Sequence, residues 1–460
     1  MAVAWAVKHG YEILPFVHYE AESDIWALGG ASKWWLYHAL EDFQQQVNAL
    51  GGSVIYGDSQ NSDFSSLDAV IAQNQVEAVL WNRLYEPESI KRDTFIKERL
   101  KAKGLHVQSF NSNILFDPVK VRNKSGSPFK VFTPFWKALR EVDIPMSTDV
   151  DLNTVQWKKT DQQEGIKAYD LLPKIPWDQG FTEYWNPTRG GALECLNKFV
   201  PTNAELYPDN RDRPDLEGTS RLSPYLHFGQ IGPRETLQAL RALQSPVVED
   251  GIVRQLFWRE FANHLLYHFP HSPTQPLYEK YKLFPWDEDE ALLKAWQKGQ
   301  TGYPIVDAAM RELWHTGWMH NRARMIVGSV LVKHLLQPWQ AGAAWFWDTL
   351  VDANLANNTM GWQWIAGSGA DGAPYFRVFN PITQGQKFDK TGDYVRKWCP
   401  ELANLPNKYL HCPFDAPPLE LAAAGVTLGK TYPHPIVDHA TGRQRALDAF
   451  ATFKERSTNL

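Results

Sequence analysis

The sequence predicts an α/β N-terminal domain on a doubly wound parallel sheet, joined to an all-α domain. Three observations carry this: β-rich and helical runs alternate over residues 13–109, a proline-studded stretch follows, and helical periodicity runs from there onward. At 460 residues the chain exceeds what one hydrophobic core supports, so two domains are expected. Residues 13–17, 53–56, 78–82 and 106–109 read as buried strands, and 31–50, 66–74 and 89–103 as the helices between them. This order gives parallel pairing. Across 117–198, Pro118, Pro128, Pro134, Pro145, Pro173 and Pro176 break the helical pattern, which marks an interdomain connection. The expected domains are therefore 1–116 and 199–460, with 117–198 between them.

Composition narrows the class. With 43% hydrophobic and 22% charged residues the chain is an ordinary globular protein, apart from its 20 Trp. Cys195, Cys399 and Cys412 are too few and too widely spaced for a disulfide framework or a zinc site, and a reducing cytoplasm fits them. No run reaches the roughly 20 apolar residues that cross a bilayer, so no membrane is expected. A net charge of −5 argues against indiscriminate binding of polyanions, so any nucleic-acid contact must come from a local patch.

Residues 301–389 organise the rest. Ile305, Ala308, Ala309 and Leu313 follow a helical period that buries one face. Trp314, Trp318, Trp339, Trp345, Trp347, Trp362 and Trp364 recur through the stretch. Residues 313–347 carry Arg322, Arg324, Lys333 and three His but no Asp or Glu, which predicts a local positive field. Cations interleaved with aromatics suit phosphates and stacked bases. The same pattern also describes a helical core with a few solvated basic residues.

The words of this stretch are more specific. TGYPIVDAAMRELWHTGWMHNR, WFWDTLVDANLANN, GWQW and YFRVFNPITQGQKFD closely resemble the flavin-binding half of the photolyase and cryptochrome family. ALGGASKWWLYHAL and NILFDPVKVRNKSGSPFKVFTPFWKAL resemble that family's antenna domain and the start of its linker. The resemblance implies an all-α FAD-binding domain after the α/β one. The family opens with a strand and an Arg-rich loop before its first helix, whereas this chain opens within that helix, at Ala2 to His9, so the sheet is expected to lack its first strand. YEPES, from Tyr85, departs from the pattern that binds a folate antenna, and a second chromophore, folate or deazaflavin, stays open.

The resemblance also implies roles for particular residues. In YPDNRDRPDLEGTSRLSPYLHFG, Tyr207 and the run Thr219, Ser220, Arg221, Leu222 and Ser223 match flavin contacts. Ser223 before Pro224 also reads as a hydroxyl N-cap with proline at N1. In VRQLFWREFANHLLYHFP, Leu256, Phe257 and Ala262 fall on buried faces. There Arg259 matches a flavin contact and Trp258 an aromatic against which a flipped thymine dimer packs. Gln255 stands where enzymes repairing cyclobutane dimers carry Glu; it keeps donor and acceptor capacity but loses the charge, and six-four photolyases also carry Gln there. Asn321 and Met325 match the cyclobutane type, since six-four enzymes place His at both positions. Arg324 and Asp352 match an ion pair beside the flavin, and Asn358 the residue facing flavin N5; without the resemblance, Asn358 would be an ordinary Asn near a helix C-terminus. Asn354 replaces an Asp near flavin N3. Trp286, Trp339 and Trp362 match an electron-transfer triad, Trp364 matches the second wall of the dimer pocket, and Arg322 is the candidate phosphate contact.

The function implied is light-driven repair of cyclobutane pyrimidine dimers by electron transfer from excited reduced FAD. The partner is UV-damaged DNA with its dimer flipped out of the stack, and a monomer is expected. A blue-light photoreceptor of the cryptochrome type without repair activity, and a six-four photolyase, are the alternatives.

Overall fold

The computed structural model describes residues 1–19, 26–57, 64–145, 149–161, 165–375 and 377–458. The chain forms two compact units. One comprises Met1–Asp178, Trp185–Pro201 and Ser220–Pro270; the other comprises Gln179–Tyr184, Thr202–Thr219 and His271–Leu460.

The first unit follows the expected alternation: α1 (Ala2–Lys8), β1 (Phe16–Val17), α2 (Gly30–Ala49), β2 (Ile55–Tyr56), α3 (Ser65–Asn74), β3 (Ala78–Asn82), α4 (Pro87–Ala102) and β4 (His106–Phe110). All pairing is parallel. The strands form two separate pairs rather than one sheet: β1 with β2, and β3 with β4 in register from Ala78↔His106 to Asn82↔Phe110. Among the described residues nothing bridges one pair to the other.

The 117–198 connection is largely structured and packs into this unit. Ile13 bridges Trp157, with Ile13 N donating to Gln156 O at 2.8 Å and Lys158 N to Ile13 O at 2.9 Å. Ile166, Tyr169 and Leu171 are buried beside Tyr37 and Val54. Residues 220–270, expected in the helical domain, also belong here. They contain α5 (Arg254–His268), which follows a π-helical turn, Glu249–Val253. Leu256, Phe257 and Ala262 are buried on α5 as expected. Its His264 accepts from Phe129 N at 3.0 Å, and burial pulls the imidazole down to about 3.

The second unit is helical. In α6 (Pro304–Thr316), Pro304 occupies the first turn, where its missing N–H is harmless, and Gly317 ends the helix at φ 66°. A Cβ at Gly317 would lie 2.7 Å from Phe181 and Val351, so glycine is required twice over. Ile305, Ala308, Ala309 and Leu313 are buried, as the periodicity predicts. Buried Asp307 accepts from Thr301 N, Thr301 Oγ1, Gly302 N and Tyr432 Oη, at 2.6–3.0 Å. Then come α7 (Asn321–Ser329), a second π-helical turn Val330–His334, α8 (Trp339–Thr349), α9 (Leu355–Ala366) and α10 (His439–Thr458). No described helix is long and apolar enough to cross a membrane.

α10 meets the second π-turn through two imidazoles, His334 Nε2 and His439 Nδ1, 2.8 Å apart. Such a pair requires at least one neutral ring. Burial, then His439, pull His334 down to about 3. The unfolded chain therefore binds a proton near pH 6.5 that the fold refuses until about pH 3, and stability falls as pH drops through that window. His334→Gln is expected to remove up to one proton's worth of slope, about 1.4 kcal/mol per pH unit, leaving the share of His264. Urea melts between pH 4 and 7 measure this; an unchanged slope refutes it.

Candidate functional site

In the first unit, Arg221 has a left-handed backbone (φ 51°) and Leu222 a right-handed one (φ −81°, ψ −7°). Alternating hands turn successive N–H groups to one side and form a concave anion site. The short helix is Ser223–Phe228 and Leu222 holds its N-cap position without a side-chain cap, so Ser223 is the first helical residue rather than the cap. Leu222 is already in the right-handed region, so the helical turn starts before Ser223 could stand as an extended cap. Ser220 Oγ accepts from Leu222 N at 3.4 Å, and the Arg221 guanidinium lies 6.0 Å from the Trp185 ring.

On α5, Trp258 stacks on Phe132 at 3.6 Å and 9°. Gln255 Nε2 donates to Gly251 O at 3.2 Å, which uses one of its two N–H donors and leaves the other, with the oxygen as an acceptor. Arg259 is held by Asn113 O at 2.7 Å and Leu226 O at 3.3 Å, and Glu260 lies 3.5 Å away. Burial pushes the Glu260 carboxyl up to about 7, although Leu115 N and Phe116 N both donate to it.

In the second unit, Tyr207 is buried with Arg211 over its ring at 5.4 Å, and Thr219 is half-buried. α7 starts at a cap in which His320 Nδ1 accepts from Arg322 N at 3.1 Å. One turn apart on α7, Asn321 Nδ2 meets Met325 Sδ at 4.0 Å. Arg324 donates to Met319 O at 2.8 Å, and its Nη2 contacts both Asp352 oxygens at 3.0 and 2.9 Å. Asn354 caps α9, accepting from Asn357 N at 3.1 Å. Its oxygen therefore serves the helix start. Asn358 lies in the first turn of α9, not near its end, because the helix begins at Leu355; its Nδ2 donates to Ala343 O at 3.0 Å.

The expected positive field does not form. Arg322 is bound by Asp212 through two contacts, at 3.2 and 2.6 Å, and lies 4.4 Å from the Phe388 ring. Arg324 has Asp352, and Lys333 and His334 are buried. Both carboxylates lie outside residues 313–347, so composition within the stretch could not reveal them.

Trp339 and Trp362 share one buried core with Trp286 packed against it, and none of these three rings stacks directly on another. Trp362 stands edge-on to Phe346 at 5.0 Å and to Trp296 at 6.2 Å. Trp364 is half-buried near the end of α9, where its carbonyl accepts from Ala373 N at 3.0 Å.

The donor sets suit a dinucleotide flavin. Within the first unit the Arg221–Leu222 turn has the concave form that suits a diphosphate, with Leu222 N–H already given to Ser220 Oγ; within the second, Arg324, Asp352 and Asn358 offer the mixed donors and acceptors that an imide-bearing ring needs. Two stretches match described families: residues 252–452 the FAD binding domain of DNA photolyase, and residues 1–151 DNA photolyase. The Deoxyribodipyrimidine photo-lyase of Agrobacterium fabrum is 44% identical over 99% of this chain and 95% of its own. Cryptochrome-2 of Arabidopsis thaliana is 37% identical over 99% of this chain and 77% of its own. The crystal structure of a bacterial class III photolyase from Agrobacterium tumefaciens superposes with a TM-score of 0.93 at 42% identity, covering 99% of this chain and 94% of that one. The chain belongs to the photolyase and cryptochrome family.

Sequence reasoning missed several features. The burial of Lys333 has a visible signal, a lysine inside the apolar run IVGSVLVKHLL, whereas the His320 cap and the Glu260 site have none. Gly342 is another. A Cβ there would lie 2.1 Å from the Trp362 ring, so Gly342→Ala must displace that indole. A loss of about 1–3 kcal/mol from overpacking is expected, with altered Trp fluorescence. Thermal melts check it, and unchanged melting and emission would refute it.

Proposed function

We propose that the protein repairs cyclobutane pyrimidine dimers in UV-damaged DNA with light. The observation that carries this is the Asn321–Met325 contact on α7, an amide and a thioether where six-four enzymes place histidines. The 44% identity to a Deoxyribodipyrimidine photo-lyase along nearly the whole chain supports it. Bound FAD supplies the light-driven electron to the dimer and takes it back. The residues bind, orient and bias. Tyr207 and the 219–223 run hold the cofactor, with Arg259, Arg324, Asp352, Asn354 and Asn358. Trp258 and Trp364 stack on the flipped dimer, and a neutral aromatic face holds an unstacked pyrimidine without demanding a particular sequence. Gln255 offers its oxygen to an imide N–H, while Trp286, Trp339 and Trp362 relay electrons. The Arg322 guanidinium reaches a phosphate only by leaving Asp212. Folate or deazaflavin serves as a second, light-gathering chromophore, and the protein works as a monomer in the cytoplasm.

A photoreceptor of the cryptochrome type is the second reading, favoured by the 37% identity to Cryptochrome-2. Purified protein illuminated with oligonucleotides carrying cyclobutane or six-four lesions decides between them. Repair of the cyclobutane lesion is expected. Repair of the six-four lesion alone overturns the proposal, and repair of neither with flavin bound and photoreducible moves the protein to the photoreceptors.

Two substitutions sharpen the reading. Asp352→Ala leaves Arg324 without its carboxylate; a loss toward the lower end of roughly 3–5 kcal/mol and reduced FAD occupancy are expected. Normal occupancy in a stable variant would remove the pair from the cofactor site. Trp364→Ala is expected to weaken dimer binding by about 1–3 kcal/mol, and Gln255→Glu to strengthen it, because a charge-assisted bond is roughly twice as strong as a neutral one. Titration with dimer-containing duplex in the dark measures both.

A further inference from the structure

Glu260, on α5, is buried, and its two carboxylate oxygens are used unequally. Oε2 accepts from Leu115 N at 2.7 Å and from Phe116 N at 3.2 Å. Oε1 is buried without a hydrogen bond and lies 3.5 Å from Arg259 Nη1. A proton can therefore settle on Oε1 while both backbone bonds to Oε2 stay in place. Other charges act on the same place. Arg234, from the helix Pro233–Arg241, and Tyr85, from the turn between β3 and α4, interact with Glu260, and Glu86 of that turn interacts with Arg259. Arg83 pairs with Asp117 at 3.2 Å beside Tyr85. Burial pushes the Glu260 carboxyl up to about 7 and Tyr85 to about 12, and it raises Glu86 as well.

Arg259 joins this cluster to the concave turn. Its Nη1 donates to Asn113 O at 2.7 Å and its Nη2 to Leu226 O at 3.3 Å. Leu226 lies in the helix Ser223–Phe228 and its N–H donates to Leu222 O at 2.9 Å, so the guanidinium is fastened one turn beyond Arg221–Leu222. The two carbonyls fix where the guanidinium lies, and Glu260 decides how much of its charge is balanced. We propose that Glu260 is a proton-gated positioning residue for the cofactor: ionised, it neutralises Arg259, and protonated at Oε1 it leaves that guanidinium to the anionic diphosphate of FAD. The inference rests on the reading of Arg259 as a cofactor contact. An anion binds better to the more positive form of its site, so affinity rises as pH falls through the Glu260 titration. By reciprocity, bound FAD makes the carboxyl easier to protonate.

The test is release of oxidised FAD from the flavin-loaded full chain on dilution in the dark, read by flavin fluorescence between about pH 6 and about pH 8.5. Wild type is expected to bind more tightly at the acid end, by up to about tenfold for each unit by which FAD shifts the Glu260 titration. Glu260→Gln copies the protonated form and keeps an oxygen for Leu115 N and Phe116 N; it is expected to bind tightly with a flat profile. Glu260→Asp, still ionisable, is expected to keep the pH dependence. A merely structural carboxylate predicts instead weaker binding by Glu260→Gln at every pH. That result, or a wild-type slope surviving in Glu260→Gln, overturns the inference alone when Arg259→Gln still weakens binding. A wild-type affinity that does not change with pH overturns it whether or not the variants fold. Wild-type affinity in Arg259→Gln removes Arg259 from the cofactor site, and the inference falls with that reading.

Discussion

The ion pair of Arg324 with Asp352 governs how the second unit presents its polar residues. It ties α7 to the residue two places before the cap of α9, with side chains only 25% and 5% exposed. Everything assigned on those helices hangs from this tie. Asn321 and Met325 precede or follow Arg324 within one turn, and Asn358, Trp362 and Trp364 rise from the α9 start that Asp352 fixes. A pair so placed is held less by its net attraction than by the penalty of leaving either charge alone. The Arg322–Asp212 pair, at 18% and 36% exposed, is of the other kind. Solvent screens it, and it can be exchanged for an outside anion at small loss.

Polar groups in the interior follow the same logic of supplied partners. Asp307 stays buried because four donors surround it, and the Glu260 carboxyl, with two backbone donors, rises to about 7. Lys333 and His334 are adjacent and solve burial differently. The lysine keeps a carbonyl and two rings, and the histidine stays neutral against a second histidine. Both therefore hold later chain segments onto one π-turn.

Local signals were legible in the sequence. The helices of the α/β unit fall within a residue or two of their expected bounds, and the buried face of α6 follows its period because such patterns need only nearest neighbours along the chain. What escaped depends on partners far away or on backbone angles. Asp212 neutralises Arg322 across 110 residues, and the alternation of strands and helices does not say which strands pair. The Ser223 cap failed because Leu222 is already right-handed, and Asn358 was read at the wrong helix end because Asn354, three residues before Asn357, starts the helix. The resemblance assigned roles to these residues; which of them are already held by carboxylates and carbonyls in the fold it did not reveal.

Each of the two π-turns abuts an α-helix, one at its start and one at its end: Glu249–Val253 runs directly into α5, and Val330–His334 runs directly out of α7. Each is a helix with one residue too many for its turn, and such bulges recur at functional sites. An α-helix advances about 100° per residue, so the surplus residue offsets the face before it from the face after it. Excising one residue from 330–334 would do what no point substitution does. It would heal the helix into regular geometry and swing Lys333 or its neighbour away from the carbonyl it holds. Length, rather than side-chain identity, is thus the parameter to which this part of the molecule is tuned.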